Sequence, residues 1–140
     1  MELSFDLSAN ILKKLIPEFQ LIHEKMIEHI VDLEDITSNQ FYILENLKKQ
    51  GGISTVGLAN ALKVSQPAVT QFINKLVELD YIKKESYPND KRRILCTLTY
   101  KGEEKLQLLE AKQIEIIKEI LQNMDAGKSL LLIEGLNDFI

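Results

Sequence analysis

Five polar side chains, Gln66, Thr70, Gln71, Asn74 and Lys75, recur at intervals that place them on one face of a helix. The opposite face is Val69, Phe72, Ile73, Leu76 and Val77, an apolar stripe that turns the polar set outward. Ser65 supplies an N-cap, and Pro67 falls in the first turn, where its missing donor costs little. A solvated helix surface usually mixes Glu with Lys, whereas this face is amide and hydroxyl. In a DNA major groove Gln and Asn pair bidentately with adenine, Thr meets a thymine methyl or a phosphate, and Lys reaches guanine or phosphate. Taken alone, the face also fits an ordinary solvated surface, and the next segment of chain decides between the two.

After Asp80 the hydrophobic period changes from helical to extended. Residues 81–87 and 93–98 read as two strands around Pro88-Asn89-Asp90-Lys91, a cluster of turn formers. Lys83, Lys84, Lys91, Arg92 and Arg93 make this hairpin basic. Lysines on an exposed strand edge also serve to block aggregation, so a plain charged hairpin is the competing reading. Directly beside a polar-faced helix, however, a basic hairpin has the form of a wing that reaches a neighbouring minor groove. Along its second strand Ile94, Cys96 and Leu98 share one face, which alternation assigns to the core.

The remaining elements must hold these two in place. Thr37-Ser38-Asn39-Gln40 has the form of a capping box and opens a helix over 37–49, ended by Gly51-Gly52. Ser54 or Thr55 caps a short third helix whose predicted buried side is Val56, Ala59 and Leu62, with Leu58 flanking it. Gly57 weakens that helix by about 1 kcal/mol relative to alanine. Near the N-terminus Leu12, Leu15, Ile16, Phe19, Ile22, Met26 and Ile30 mark an amphipathic helix, and Pro17 predicts a kink or a split near Ile16. Thr99 caps a long helix carrying Leu106, Leu109, Gln113, Ile117, Ile120 and Met124. A last helix over 126–139 holds Leu130, Leu131, Ile133, Leu136 and Phe139, too apolar for a solitary surface helix, and predicts burial against a partner. The expected fold is mainly α with a small β-hairpin: a winged helix-turn-helix with N- and C-terminal dimerisation helices. Residues 1–140 form one domain, in which 37–98 is the DNA-binding lobe and 1–36 with 99–140 the dimerisation region.

Charge agrees with that division. The chain of 140 residues has a net charge of −4. Residues 1–36 nevertheless hold three lysines against eight carboxylates, 37–93 hold nine bases against five acids, and 94–140 hold five against eight. A basic centre between acidic flanks suits a nucleic-acid reader with a separate scaffold. No apolar run approaches the length of a membrane span, and the first ten residues carry Glu2 and Asp6 where a secretory leader would be basic, so a cytoplasmic location is expected.

Catalytic, metal and cofactor readings are set aside on spacing. No nucleophile stands with a base and an orienting group. His23 and His29 lie about 600° apart around a helix and so face different ways. Gly127-Lys128-Ser129 lacks the earlier glycine of a phosphate loop, since position 122 is Gln122. Cys96 is a lone cysteine on a predicted core face, which makes it structural rather than a redox sensor.

The segment V-S-Q-P-A-V-T-Q-F-I-N-K-L-V-E-L-D-Y-I from Val64 to Ile82, followed by N-D-K-R-R and L-T-Y-K-G, resembles the MarR family of bacterial transcriptional regulators. Its most specific part is Asp90-x-Arg92 followed by Leu98-Thr99-x-x-Gly102. The resemblance implies an obligate homodimer with interlocked terminal helices, bound to double-stranded DNA at a pseudo-palindromic operator and often released by a small-molecule effector. It also places Ser65, Gln66, Ala68, Thr70, Gln71, Asn74 and Lys75 on the recognition helix. Arg92 falls on the wing-tip arginine that enters the minor groove, and Asp90 on the acidic residue that helps fix it. Ser54, Thr55, Lys84, Lys91 and Arg93 complete the expected DNA-facing set. Two departures bear on the third helix: Lys63 stands where the family commonly has a helix-ending glycine, and Gly57 where it commonly has Glu.

The expected function is therefore a DNA-binding regulator, a repressor, without enzymatic activity. An effector would sit between the dimer helices and the lobe, near His23, Met26 and Tyr42. The alternative is a winged-helix module that binds a protein without reading DNA sequence. Steep salt dependence of binding separates the two.

Overall fold

The computed structural model describes residues 5–139. The elements run α1 (Phe5–Val31), α2 (Ser38–Gln50), β1 (Ile53–Ser54), α3 (Thr55–Leu62), α4 (Gln66–Glu78), β2 (Ile82–Tyr87), β3 (Asp90–Leu98), α5 (Tyr100–Gln122) and α6 (Ala126–Phe139). The strands form one antiparallel sheet in the order β1-β3-β2.

Local chemistry accounts for most of the boundaries. Thr37 and Gln40 make the capping box in full: the Thr37 backbone N–H donates to Gln40 Oε1 at 2.8 Å, and the Gln40 N–H donates to Thr37 Oγ1. Gly51, at φ 68°, ends α2 in the left-handed region. Ser54, Ser65 and Thr99 cap α3, α4 and α5, each accepting a backbone N–H from the first turn.

Four expectations change. Pro17 lies inside a single unbroken α1 rather than splitting it. In α3 the buried residues are Leu58 and Ala59, while Val56 is exposed and Leu62 only half-buried. Gly57 explains that rotation: a Cβ there would stand 2.7 Å from Ile53 Cγ1, so the helix packs on β1 at this point. The turn of the hairpin is shorter than expected, because β3 already begins at Asp90 and Tyr87 pairs with Asp90. Finally, β1 adds a third strand, Ile53 facing Cys96 and Ser54 facing Leu95.

The core lies under the lobe. Phe41, Leu44 and Leu47 of α2 meet Leu58, Ile73, Leu76, Ile82 and Cys96, closed by Ile27 and Ile30 of α1 and by Leu106 and Leu109 of α5. Of the hairpin face expected in the core, Cys96 is fully buried and Leu98 packs against it, while Ile94 stays exposed toward the wing tip. The N-terminal part of α1 and the later turns of α5 and α6 leave the core. Leu12, Leu15, Ile16 and Phe19 of α1, Ile117 and Ile120 of α5, and Leu131 and Leu136 of α6 are all exposed in the single chain. An apolar groove of about 360 Å³ runs between α1 and α6, walled by Leu12, Ile16, Phe19, Leu132 and Leu136. The expectation for the Phe139 side chain lies outside the described residues, as does that for Glu2.

Candidate nucleic-acid interface

On α4 the division of faces holds. Val69, Ile73 and Leu76 are buried, and Gln66, Thr70, Gln71, Asn74 and Lys75 are exposed. Val77, expected in the stripe, is partly exposed, and Phe72 is half-buried. Ser65 spends its hydroxyl oxygen on the cap, accepting from the Ala68 N–H at 3.4 Å, while Ala68 itself is half-buried at the root of the exposed face. The Thr70 hydroxyl donates to the Gln66 carbonyl at 2.9 Å, which leaves its methyl group and its lone pairs facing outward. Lys75 pairs loosely with Glu78 at 3.5 Å, an exposed i,i+3 contact worth little.

Upstream, Ser54 is the cap of α3, accepting from the Gly57 N–H at 3.1 Å, and Thr55 begins that helix half-buried.

The wing carries its charge outward. Asp90, Lys91, Arg92 and Arg93 are all exposed. Asp90 Oδ1 accepts the Arg92 backbone N–H at 3.0 Å, so this carboxylate fixes the backbone of the arginine rather than its guanidinium. The Arg93 guanidinium lies 4.7 Å from the centroid of the Tyr87 ring, folded onto the hairpin. Arg92 is thus the arginine at the tip whose head group is left free to reach. Lys83 is engaged with Glu85 at 2.7 Å. The Lys84 ammonium donates to Asn74 Oδ1 at 2.7 Å and joins the wing to the polar face of α4. Sequence reasoning counted these two separately; the only sequence signal for their meeting is that β2 follows α4 through a short connection.

Of the three residues expected near an effector crevice, His23, Met26 and Tyr42, two border one cavity. His23 and Tyr42 line a cavity of about 610 Å³ together with Phe19, Glu24, Glu28 and Ser38, and their ring centroids lie 6.2 Å apart. Met26 does not line it and packs against the core instead. The surroundings are acidic: burial, reinforced by Glu45, Glu24 and Glu28, pushes the Tyr42 hydroxyl above the usual phenol range.

Cys96 is buried, and burial raises its thiol above the usual range, the opposite of what a reactive thiolate needs. Among the described residues no cluster of His, Cys, Asp or Glu is arranged to hold a metal ion. Among the same residues no helix is long and apolar enough to cross a membrane.

With this geometry in view, comparison with known proteins is specific. The model of the MarR family matches residues 36–94, the segment from the start of the capping box to the middle of the wing. The multiple antibiotic resistance protein MarR of Salmonella typhimurium is 29% identical over 101 residues, covering 68% of this chain and 70% of that protein. The crystal structure of wild-type MarR from E. coli in its apo form superposes with a TM-score of 0.83 at 25% identity, over 92% of this chain and 96% of that one. A MepR mutant from S. aureus bound to an oligodeoxyribonucleotide shares the fold, with a TM-score of 0.67 at 20% identity over 89% of this chain and 94% of that one. A polar-faced helix beside a three-stranded basic wing, flanked by helices with uncovered apolar faces, thus coincides with the family match at the lobe and with the MarR fold along nearly the whole length; the chain is similar to MarR-family regulators in sequence over the lobe and in fold throughout.

Proposed function

We propose that the protein is a sequence-specific double-stranded DNA-binding transcriptional regulator, a repressor, that acts as a homodimer on a pseudo-palindromic operator. One observation carries the reading: α4 presents Gln66, Thr70, Gln71, Asn74 and Lys75 outward, directly beside a wing tipped with the free guanidinium of Arg92. In the bound state α4 enters the major groove, roughly 12 Å wide, and Arg92 reaches the adjacent minor groove. Lys84, Lys91 and Arg93 add phosphate contacts, and Ser54, Thr55 and Ser65 approach the backbone from the ends of the two helices.

Residues 37–98 form the lobe that meets DNA, and 1–36 with 99–140 join two copies. The apolar groove between α1 and α6 and the exposed Ile117 and Ile120 of α5 are what a second copy covers. A closed two-fold dimer sets its recognition helices about one DNA turn, roughly 34 Å, apart. The crevice at His23 and Tyr42 lies between α1 and α2, where a small-molecule effector that prefers one spacing of the lobes shifts the population away from the DNA-bound form. The chain performs no catalysis in this reading, and it works in the cytoplasm, where its operator is.

Salt titration tests the reading. Several phosphates neutralised per dimer make affinity for duplex DNA fall by about 10³-fold between roughly 50 and 200 mM salt. A flat response turns the assignment toward a protein-binding winged helix.

A further inference from the structure

Where the lobe meets α5 lies a partly buried cluster of charges that the DNA-facing residues do not explain. Lys105 of α5 pairs with Glu34 and, at 2.8 Å, with Asp35, both in the connection between α1 and α2. The Lys105 and Glu34 side chains are only 11% and 12% exposed. Asp35 also accepts the Tyr81 hydroxyl at 2.8 Å, and the Lys105 ammonium stands 5.7 Å from the centroid of the Tyr81 ring. Lys112 binds the other oxygen of Glu34.

Tyr81 is the residue through which this cluster touches the recognition helix. Its N–H donates to the Leu76 carbonyl in the last turn of α4, at 2.9 Å, and its own carbonyl accepts the Thr99 N–H at 3.0 Å. Lys101 Nζ donates to the Leu79 carbonyl at 2.8 Å. A Cβ on Gly102 would lie 1.9 Å from the Tyr81 carbonyl oxygen, so the connection that follows α4 and the start of α5 are in backbone contact. One end of α5 therefore holds the recognition helix while its other end runs among the uncovered apolar faces.

A partly buried ion pair adds little net stability, because desolvation offsets the attraction, so its contribution is sought in geometry rather than in energy. We propose that Lys105, acting through Asp35 and Tyr81, is a positioning residue that sets the angle between the recognition helix and the dimerisation helices, and hence the operator half-site spacing the dimer accepts. The proposal rests on the homodimeric DNA-binding reading above. Removing the ammonium leaves Asp35 bonded to Tyr81 and Glu34 bonded to Lys112, so the fold keeps its carboxylates partnered while the link from α5 to Asp35, and through it to Tyr81, is cut.

The test uses the full chain and duplexes carrying identical half-sites, obtained by selection, at the preferred separation and at one base pair more or less. Lys105→Met and, as a milder cut, Tyr81→Phe are compared with the native protein and with Lys105→Arg, dimer mass being measured for each. The native protein is expected to discriminate between spacings by roughly tenfold, a coupling of ordinary size. Lys105→Met is expected to remain a dimer and lose most of that discrimination, Tyr81→Phe to lose part of it, and Lys105→Arg to restore it. Weakening of all spacings by one common factor, or no change in discrimination, overturns the proposal. Absence of any spacing preference in the native protein instead overturns the homodimeric operator reading on which it rests.

Discussion

The Lys84 ammonium on β2 donates to the side-chain carbonyl of Asn74 on α4 at 2.7 Å. Two side chains that each have the chemistry to contact DNA hold one another, and the contact decides what Asn74 offers to a base. Bidentate pairing with adenine requires both the amide donor and the carbonyl acceptor. With one of the two lone-pair sites of the carbonyl taken by a cation, Asn74 is a poorer acceptor while its amide donors stay free, which favours the acceptor edge of guanine, O6 and N7, or the thymine O4 over bidentate pairing with adenine. At the base position sensitive to Asn74→Ala, competition binding with all four bases is expected to rank guanine or thymine first, and Lys84→Ala to move the preference toward adenine. Adenine preferred by the native protein would contradict this.

The free guanidinium of Arg92 makes the wing separable from the dimer. Arg92→Ala is expected to weaken operator binding by about 1 to 3 kcal/mol with the dimer intact. Asp90→Ala, which removes the acceptor of the Arg92 backbone N–H, is expected to cost less, since it loosens the turn without removing the charge. Binding titrations with mass measured in parallel check both.

Lys63 ends α3 at φ 54°, in the left-handed region. A side chain there costs about 1 to 2 kcal/mol that glycine avoids, partly offset by the greater freedom glycine has when unfolded. Lys63→Gly is expected to raise the unfolding free energy by about 1 kcal/mol in denaturant titration, with the slope unchanged.

The cluster at Lys105 also has a pH signature. Hydrogen bonds from Lys105 and Lys112 hold Glu34 below the usual carboxylate range against the opposing effect of burial. For Asp35 burial is the largest single influence and acts upward, but Lys105 and Tyr81 together outweigh it and the net shift is downward. A carboxyl lowered in the folded state contributes stability that is fully present above its unfolded value, near pH 4, and is lost as pH falls through the lower folded value. Lys105 is shifted upward, so its contribution persists throughout acid and neutral pH. Denaturant titrations from pH 7 down to 3 are expected to show a loss of stability below about pH 4 that is smaller in Lys105→Met.

Elements written by neighbouring residues were legible in the sequence. The Thr37 and Gln40 box, the Ser65 cap and the apolar stripe of α4 each depend on residues within a turn or two. What depended on distant contacts was not. Ile53 and Ser54 are too short a run to signal a strand, and they become β1 only because β3 pairs with them. Asp90 and Lys91 read as turn because they stand in a cluster of turn formers, yet β3 already begins at Asp90, which pairs with Tyr87 across the hairpin. Pro17 is accommodated in a continuous α1, where the proline signal alone left a kink and a split both open. The meeting of Lys105 with Glu34, Asp35 and Tyr81 joins positions up to 71 residues apart, and no local pattern announces it. Gly102 belonged to the recognised wing motif, but its reason, contact with the Tyr81 carbonyl, is visible only in three dimensions. Gly102→Ala is accordingly expected to destabilise the fold by about 3 kcal/mol.

Selection of random duplex DNA by the purified protein, with the mass of the bound species determined alongside, tests the regulator reading most directly. The expected result is an inverted repeat whose half-site centres lie about one turn, roughly 34 Å, apart, bound by two copies of the chain. Recovery of no preferred sequence, or binding by a single copy, would contradict it.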